Sequence, residues 1–368
     1  MSDSLQNLSE DLQAFYSVGP FALGSDERAT LTLPRYRRLT QFHRDNCAEY
    51  RSILGKLRFP VEAISSCRDV PFLPVRLFKD YELRSLPHEA IVKTMTSSGT
   101  TGQQVSKIYL DKQTALSQTR VLANLVGSVL SKKRLPLLII DSRAVVKNRQ
   151  MFSARGAGIL GFSIFGTDVE YALDDEMRLD MPRVRSFISR HEGEEILLFG
   201  FTSIIWEHFY QPLSLSGAML DLRNGVVIHG GGWKKLINQN VTNDKFKQSL
   251  RSVCGVDRVL NYYGMVEQTG SIYLECEYGF LHSSIYSEVC VRRPTDFSEC
   301  EIGEPGLIEV MSVIPMSYPG HALLTEDLGV LHGRDNCVCG RRGAFFHVLG
   351  RAPKSEIRGC SDTYVSAI

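Results

Sequence analysis

The most informative stretch of this sequence is Thr94-Met95-Thr96-Ser97-Ser98-Gly99-Thr100-Thr101-Gly102. All of them except Met95 are hydroxyl amino acids or glycine. Strand-like apolar residues come before them at 90–92 and after them at 107–110, so the sequence predicts a loop between two strands. Glycines let a backbone approach a ligand and present N–H groups to an anion, and hydroxyls add further donors. The stretch therefore predicts a phosphate-binding loop, with a flexible polar hairpin loop as the alternative.

Three further motifs follow in order along the chain, namely Tyr263-Gly264-Met265-Val266-Glu267, Thr325-Glu326-Asp327-Leu328-Gly329 and Leu349-Gly350-Arg351. With Thr96 to Gly102, they resemble the four ordered motifs of the AMP-forming adenylating enzymes, a superfamily that includes the acyl-CoA synthetases. The resemblance implies an enzyme that uses ATP and Mg²⁺ to convert a carboxylic acid into an acyl-adenylate. A Walker-type loop is excluded, because no Gly-Lys-Ser/Thr sequence closes the first stretch.

The overall composition is that of an ordinary globular protein. The 368 residues are 43% hydrophobic and 23% charged with a formal net charge of +1, so no general attraction to nucleic acid is expected. The polar start Met1-Ser2-Asp3-Ser4 predicts no signal peptide, and no apolar run reaches membrane-spanning length. The nine cysteines are therefore expected to be reduced thiols in the cytoplasm, some of them bound to metal.

Helical and strand-like patterns alternate over most of the chain. Residues 1–90 are predicted to be mostly helical, and apolar strand patterns at 135–141, 196–201 and 259–263 alternate with helical ones further on. This alternation predicts an α/β fold with a largely parallel sheet. The resemblance implies the large-domain fold of adenylate-forming enzymes, with layered β-sheets and helices and without the full C-terminal domain. It divides the chain into a helical N-terminal region over 1–90, an adenylating core over 91–350 and a short tail over 351–368.

The resemblance also assigns roles at the nucleotide site. It implies that the hydroxyl-rich loop binds the β- and γ-phosphates of ATP, through Thr96, Ser97, Ser98, Gly99, Thr100, Thr101 and Gly102. Glu267 would bind Mg²⁺, a hard cation that prefers carboxylate and phosphate oxygens. Asp327 would accept hydrogen bonds from the ribose hydroxyls, and Arg351 would contact ribose or phosphate.

The adenine ring is expected beside His229-Gly230-Gly231-Gly232, which directly follows a predicted strand. Three consecutive glycines leave space for a flat ring against the backbone, and a strand-end turn is the alternative. The family pattern adds Tyr262, Tyr263 and Gly264 to this region. Two residues depart from that pattern, because Val266 stands where the family usually has threonine and Glu326 where many members have glycine. Contacts to the α-phosphate and the ribose are therefore expected to differ from those of the family.

A candidate zinc site combines Cys276 and His282 with Cys337-Val338-Cys339. Three sulfurs and one imidazole are a common structural zinc set, but the spacing is not that of a standard finger, so reduced surface thiols are the alternative. Superfamily members similar to phenylacetate-CoA ligases carry a comparable Cys…His…Cys-x-Cys-Gly-Arg arrangement. The resemblance implies Zn²⁺ on Cys276, His282, Cys337 and Cys339.

Two other segments resemble the acyl-protein synthetases of the bacterial luminescence fatty acid reductase complex. The first is the segment from Val70 to Lys79, for which a proline-rich connector with a packed phenylalanine is the alternative. The second is Arg358-Gly359-Cys360-Ser361-Asp362, which lies soon after Arg351 and near the last residue of the sequence, Ile368. The resemblance implies that Cys360 receives the acyl group from the adenylate, and an idle tail thiol is the alternative.

Three functions fit these patterns. The first is an enzyme that adenylates a fatty or other carboxylic acid and transfers the acyl group to Cys360. The second forms the same adenylate but uses coenzyme A or a carrier-protein thiol as the acceptor. The third is a non-catalytic subunit that only binds acyl groups or a partner. The expected partners are a carboxylic acid substrate and an acyl-accepting or reductase protein.

Overall fold

A computed structural model describes residues 3–97, 105–132, 134–147, 154–231, 236, 239–268 and 270–352 of the chain. The described helices, numbered α1 to α11 in chain order, are Asp3–Tyr16, Ser25–Asn46, Ala48–Lys56, Leu77–Asp80, Lys112–Gly127, Ala144–Lys147, Ala154–Ser163, Met181–Arg190, Thr202–Ile205, Gln211–Ser216 and Asn243–Cys254. A π-helical turn, Trp206–Tyr210, joins α9 to α10. None of the helices in the described ranges is long and apolar enough to cross a membrane.

Fourteen strands are described, most of them in one large sheet. In chain order, β1 to β14 are Leu73–Pro74, Ile91–Thr96, Lys107–Asp111, Leu135–Ser142, Gly166–Leu173, Ile196–Phe201, Gly225–Gly230, Arg258–Tyr263, Tyr273–Glu275, Leu281–His282, Ser287–Arg292, Pro305–Ser312, Ala322–Arg334 and Ala344–Arg351. The strand order of the large sheet is β11-β12-β13-β14-β10-β9-β8-β7-β6-β4-β5, with β1 beside β13. Strands β2 and β3 form a separate two-stranded sheet.

The large sheet has a parallel half and an antiparallel half. Strands β5, β4, β6, β7 and β8 run parallel, as predicted from the alternation of helices and strands. All eight residues of β4 are buried, which is typical of a strand covered on both faces. Strands β9 to β14 pair antiparallel instead, so the prediction of a largely parallel sheet is wrong for this half. Short turns, such as the one at Gly279 with φ +84°, join antiparallel strands without a crossover helix.

The hydroxyl-rich stretch begins inside a strand rather than in a loop. Thr94 and Thr96 belong to β2 and pair with Tyr109 and Lys107 on β3. The prediction that Thr96 lies in the loop is therefore wrong, because cross-strand pairing extends β2 further than its apolar pattern indicates. Residues 98–104, which connect the two strands and carry the rest of the predicted loop, lie outside the described residues.

The N-terminal helices cover one side of the antiparallel half through buried polar contacts. Arg28 on α2 forms an ion pair with Glu288 on β11, and both side chains are at most 10% exposed. Arg35, which is fully buried, donates a hydrogen bond of 3.0 Å to the carbonyl of Val313. The amphipathic pattern over residues 36–57 is divided between α2 and α3, because Cys47 adopts an extended backbone conformation between them. These contacts fix the sheet that carries the third and fourth motifs.

Candidate functional site

The ends of β7 and β8 form the predicted adenine region. Gly230 and Tyr262 are register partners in these parallel strands. A Cβ atom on Gly230 would lie 2.6 Å from Cε1 of Tyr262, so the ring occupies the space that any side chain at residue 230 would need. Gly231 has φ +63°, a left-handed conformation that favours glycine. The glycine segment thus lets an aromatic ring lie directly on the strand end, while Gly232 lies outside the described residues.

Tyr263 and Asp327 bring the second and third motifs together. The Tyr263 hydroxyl donates a hydrogen bond of 2.8 Å to Asp327 Oδ2. Thr325 orients the same segment, because its hydroxyl accepts from the Asp327 N–H over 3.1 Å and donates to the carbonyl of Ile308 over 2.8 Å. Burial and the nearby Asp327 carboxylate raise the pKa of Tyr263 well above its usual value, so the phenol remains a donor. The Asp327 carboxylate is therefore held in a defined orientation.

Arg351 lies opposite Asp327 across the β13–β14 ladder. Its Nε atom is 3.9 Å from Asp327 Oδ1, and its Nη1 atom is 3.3 Å from Glu326 Oε2. The Arg351 side chain is about half exposed, at 48%. Glu326, which departs from the family glycine, thus forms an ion pair with the guanidinium that the family pattern directs toward ribose or phosphate.

Glu267 occupies a short 3₁₀ turn after β8, Val266–Gln268, and is buried. The Tyr318 hydroxyl donates to the Glu267 carbonyl over 2.7 Å, and the Gln268 side chain donates to the carbonyls of Val310 and Gly320. Burial raises the pKa of Glu267, while a hydrogen bond from Ser106 and the positive charges of Lys79 and Arg351 offset part of that rise. Hydrogen bonds to the backbone thus fix Glu267 in this turn, and its carboxylate is the kind of hard oxygen donor that Mg²⁺ prefers.

The base of the hydroxyl-rich loop lies next to Glu267. Ser97 donates its N–H to the Ser106 carbonyl over 3.2 Å, and its hydroxyl accepts from the Ser106 N–H over 2.9 Å. Ser106, which is 1% exposed, also hydrogen bonds to the Glu267 carboxylate. The predicted loop residues Ser98, Gly99, Thr100, Thr101 and Gly102 lie outside the described residues, as does Cys360.

The structure therefore brings Ser97, Glu267, Asp327 and Arg351 to one region, where Tyr263 contacts Asp327. Sequence patterns missed Ser106 and Lys79 at this site. Ser106 follows the loop by only a few residues, and Lys79 ends the segment that resembles acyl-protein synthetases. Neither residue lies in one of the four motifs. Each approaches Glu267 only because distant segments of the chain pack together.

The four predicted zinc ligands lie together beside this region. The Sγ atoms of Cys276, Cys337 and Cys339 and a ring nitrogen of His282 all lie within 4.8 Å of one another. His282 Nε2 is 3.4 Å from the sulfur of Cys339. Ligands of a tetrahedral zinc with bonds of about 2.0–2.3 Å lie about 3.5–3.8 Å apart, so a small contraction of this cluster would bind the ion.

The surroundings of this cluster suit a neutral imidazole ligand. Burial and the charge of Arg341 lower the pKa of His282 to about 4, which leaves a nitrogen lone pair available near neutral pH. Burial raises the pKa of Cys276 and Cys339, so a metal ion would have to displace thiol protons. Arg341 also donates to the carbonyls of Leu274 and Glu275 over 3.2 Å and thereby ties the second cysteine segment to β9.

Comparison with known proteins agrees with these motifs. The family model described as acyl-protein synthetase, LuxE, matches residues 3–368. A long-chain-fatty-acid–luciferin-component ligase of Vibrio harveyi is 23% identical over 343 residues, which cover 91% of this chain and 87% of that protein. The ligase of the same name from Aliivibrio fischeri is 20% identical over 302 residues, covering 79% and 76% of the two chains.

Solved structures confirm the predicted fold. An open conformation of 2-hydroxyisobutyryl-CoA ligase in complex with 2-HIB-AMP and CoA has a TM-score of 0.70 at 15% identity, covering 89% of this chain and 76% of that chain. The same ligase in the thioesterification state has a TM-score of 0.68 at 16% identity, covering 90% and 69%. The fold is therefore the large-domain fold of the adenylate-forming ligases. Since the family model matches essentially the whole chain, this protein belongs to the LuxE family of acyl-protein synthetases.

Proposed function

We propose that this enzyme activates a carboxylic acid as an acyl-adenylate and then transfers the acyl group to its own Cys360. The observation that carries the first step is the convergence of Glu267, Asp327 and Arg351 at the base of the hydroxyl-rich loop. Membership in the acyl-protein synthetase family supports the second step. The printed names of the Vibrio and Aliivibrio relatives support a long-chain fatty acid as the substrate class.

In the first step, a carboxylate oxygen of the acid attacks the α-phosphorus of ATP, and the bond to pyrophosphate breaks. Both reactants are anions, so the site has to neutralise charge and align them. Asp327, held by Tyr263, would orient the ribose, and Arg351 would contact ribose or phosphate. Glu267 would hold Mg²⁺, which supplies charge neutralisation to the phosphates when bound.

In the second step, the Cys360 thiolate attacks the acyl carbonyl, and AMP leaves with the electron pair of the broken anhydride bond. The adenylate is already activated, so the protein has to supply proximity and a thiolate. Lys354 and Arg358 lie close to Cys360 in sequence, and nearby cations favour the thiolate form. A protein partner such as a reductase would then take the acyl group from the thioester.

The cluster of Cys276, His282, Cys337 and Cys339 would hold a structural Zn²⁺. Such an ion would join the β9–β10 hairpin, which carries Cys276 and His282, to the segment before β14, which carries Cys337 and Cys339. Arg351 lies at the end of β14, so the metal would stabilise one side of the nucleotide site. We further propose a cytoplasmic location, where reduced thiols persist.

Two measurements on the full chain test this function. Carboxylate-dependent exchange of labelled pyrophosphate into ATP, with a library of fatty and other acids, tests adenylation and identifies the acid. Incubation with ATP and a labelled acid, followed by neutral hydroxylamine, which cleaves thioesters, tests transfer. We expect Cys360→Ser to retain exchange and lose stable label, whereas Cys300→Ser should keep both.

The alternative acceptors give different results. Brisk exchange without covalent label, together with acyl-CoA formation when coenzyme A is added, would replace self-acylation by a ligase that uses coenzyme A. Label on a cysteine other than Cys360 would identify that cysteine as the acyl acceptor instead. The absence of exchange with every acid would contradict adenylation itself and favour a subunit that only binds acyl groups.

A further inference from the structure

Two histidines that have no role in the function proposed above lie side by side on β13 and β14. The Nε2 atom of His332 is 2.9 Å from the Nδ1 atom of His347. The two ring centroids are 4.7 Å apart, and the ring planes meet at 77°. His332 is exposed and His347 is half-buried, so an ion from solvent can reach the two facing nitrogens.

An irregularity in the β13–β14 ladder presents His332 to its neighbour. The register shifts between Leu331 and Gly333, whose partners Phe346 and Phe345 are consecutive in β14. His332 is therefore the extra residue of a β-bulge. Bulges of this kind change the direction of a side chain at the cost of regular pairing. The contact between the two imidazoles is thus built into the backbone of the sheet.

The β9–β10 hairpin fixes the orientation of both rings. The Nε2 atom of His347 lies 3.1 Å from the carbonyl oxygen of Gly279. A carbonyl can only accept, so Nε2 carries the hydrogen and Nδ1 keeps its lone pair toward His332. The Phe280 ring stacks on His347 with centroids 4.7 Å apart and packs against His332 at 5.1 Å. Histidines that bind metal ions usually donate their second N–H to such a carbonyl, which fixes the tautomer and the ring.

The chemistry of the pair favours a cation over an anion. Burial and the neighbouring His347 lower the pKa of His332, so its imidazole is neutral and offers a lone pair near neutral pH. Two nitrogens 2.9 Å apart, each about 2.0–2.1 Å from one ion, subtend an angle of about 90° at that ion. This is the angle between adjacent ligands in the square-planar or tetragonal geometry of Cu²⁺ and Ni²⁺, whereas nitrogens on tetrahedral Zn²⁺ lie about 3.3–3.4 Å apart.

We propose that His332 and His347 form a metal site, separate from the zinc cluster, that chelates a divalent ion of the Ni²⁺ or Cu²⁺ class. Nε2 of His332 and Nδ1 of His347 would bind the ion, and water would fill the remaining positions. The ion takes the place of the hydrogen between the two rings, and that proton moves to Nδ1 of His332, so both imidazoles stay neutral. Such an ion would bridge β13 and β14, the strand that ends at Arg351. The inference does not depend on the ATP-dependent function.

The test is isothermal titration of Ni²⁺ into the full chain, purified without a histidine tag, saturated with Zn²⁺ and desalted. Ni²⁺ is the probe because Cu²⁺ oxidises thiols, and the chain has free cysteines. We expect the wild type to bind a single Ni²⁺ by this pair. Loss of a group that merely orients a ligand costs about 10–100-fold in metal affinity, so loss of a ligand should cost tenfold or more. His332→Gln, His347→Gln and the double variant should lose the same amount, because one imidazole cannot chelate.

His88→Gln, at an exposed histidine outside the pair, is the matched control and should bind Ni²⁺ like the wild type. Thermal unfolding of each variant shows that it is folded, and Ni²⁺ should raise the Tm of the wild type more than that of the variants. Unchanged Ni²⁺ affinity in a folded single variant would overturn the proposal. Single variants that each keep a site of wild-type affinity, with binding lost only in the double variant, would show two independent histidines and overturn the chelate. Wild-type binding no tighter than that of the double variant would also overturn it.

Discussion

The hydroxyl of Tyr263 at the end of β8 donates a 2.8 Å hydrogen bond to Asp327 on β13, although these strands are not neighbours in the sheet. The two residues are 64 positions apart in the chain and belong to two different sequence motifs. Their contact joins the parallel half of the sheet to the antiparallel half. The candidate nucleotide site is therefore built across the junction of the two halves, and its geometry depends on how they pack.

Tyr263→Phe should weaken ATP binding more than it slows chemistry. The variant removes the hydrogen bond that orients Asp327 and leaves the ring in place. Hydrogen bonds to charged groups contribute about 1.5–3 kcal/mol, so we expect the KM for ATP to rise about tenfold with a smaller change in kcat. Pyrophosphate-exchange kinetics measure both constants. Tyr278→Phe, at an exposed tyrosine, is the control. A drop in kcat at unchanged KM would contradict a role in ribose binding.

Glu267→Gln should nearly abolish pyrophosphate exchange while the protein stays folded. The amide keeps the size of the side chain but loses the charge that Mg²⁺ requires. We expect a loss of about two orders of magnitude or more in exchange rate, the range of electrostatic catalytic groups. Glu277→Gln, at an exposed carboxylate in the turn between β9 and β10, should leave the exchange rate unchanged. Near-wild-type exchange in Glu267→Gln would remove Glu267 from the site.

Gly230→Ala should displace the Tyr262 ring. The added Cβ would approach the ring to 2.6 Å, which is shorter than real Cβ contacts allow. Overpacking of this kind costs about 1–3 kcal/mol, and it should also weaken binding of ATP at the adenine region. Gly127→Ala is the control, since a Cβ at the end of α5 meets no atom within 4 Å. Equal unfolding free energies for the two variants would contradict the predicted clash.

Purified protein should contain a single zinc ion per chain, bound by Cys276, His282, Cys337 and Cys339. Cys339→Ser should lower the zinc content and the thermal stability together, because binding energy of a structural metal is also folding energy. Metal analysis and thermal unfolding with and without a chelator measure the two effects. Cys254→Ser, outside the cluster, should keep the zinc. Metal-free wild-type protein with four reduced ligands would exclude the site.

The protein should lose stability as pH falls below 6.5. His43, His229 and His321 are fully buried; burial lowers the pKa of His229 and His321 to about 3 and that of His43 well below 6.5. The unfolded chain binds protons at these residues near pH 6.5, but the folded protein does not, so acid favours unfolding. Each histidine contributes up to about 1.4 kcal/mol per pH unit between 6.5 and its folded pKa.

Denaturant unfolding between neutral pH and about pH 5 tests this dependence. His321→Gln should reduce the slope of unfolding free energy against pH, because glutamine does not titrate and still reaches the Thr40 hydroxyl, which lies 3.0 Å from His321 Nε2. His88→Gln, at an exposed residue, should leave the slope as it is. A flat profile in the wild type would mean that these imidazoles are accessible to protons in the folded state.

The sequence by itself determined the family, the α/β class and most individual elements. Four short motifs, which follow one another in a fixed order, identified the adenylating enzymes as the family. The family and fold comparisons confirm that identification. Periodic apolar residues predicted β6 and β8 within a residue, and Gly255 ends α11 in the left-handed conformation expected of a helix-terminating glycine. Such signals are local, because each depends on residues a few positions apart.

The tertiary structure alone decided which distant residues meet. Pairing with β3 placed Thr96 in a strand, and antiparallel ladders formed half of a sheet that the sequence pattern predicts to be parallel. Neither the Tyr263–Asp327 hydrogen bond nor the approach of Ser106 and Lys79 to Glu267 has a sequence signal. These contacts depend on strand order and on the packing of α4, which are set by burial of apolar surface over the whole chain rather than by any short stretch of it.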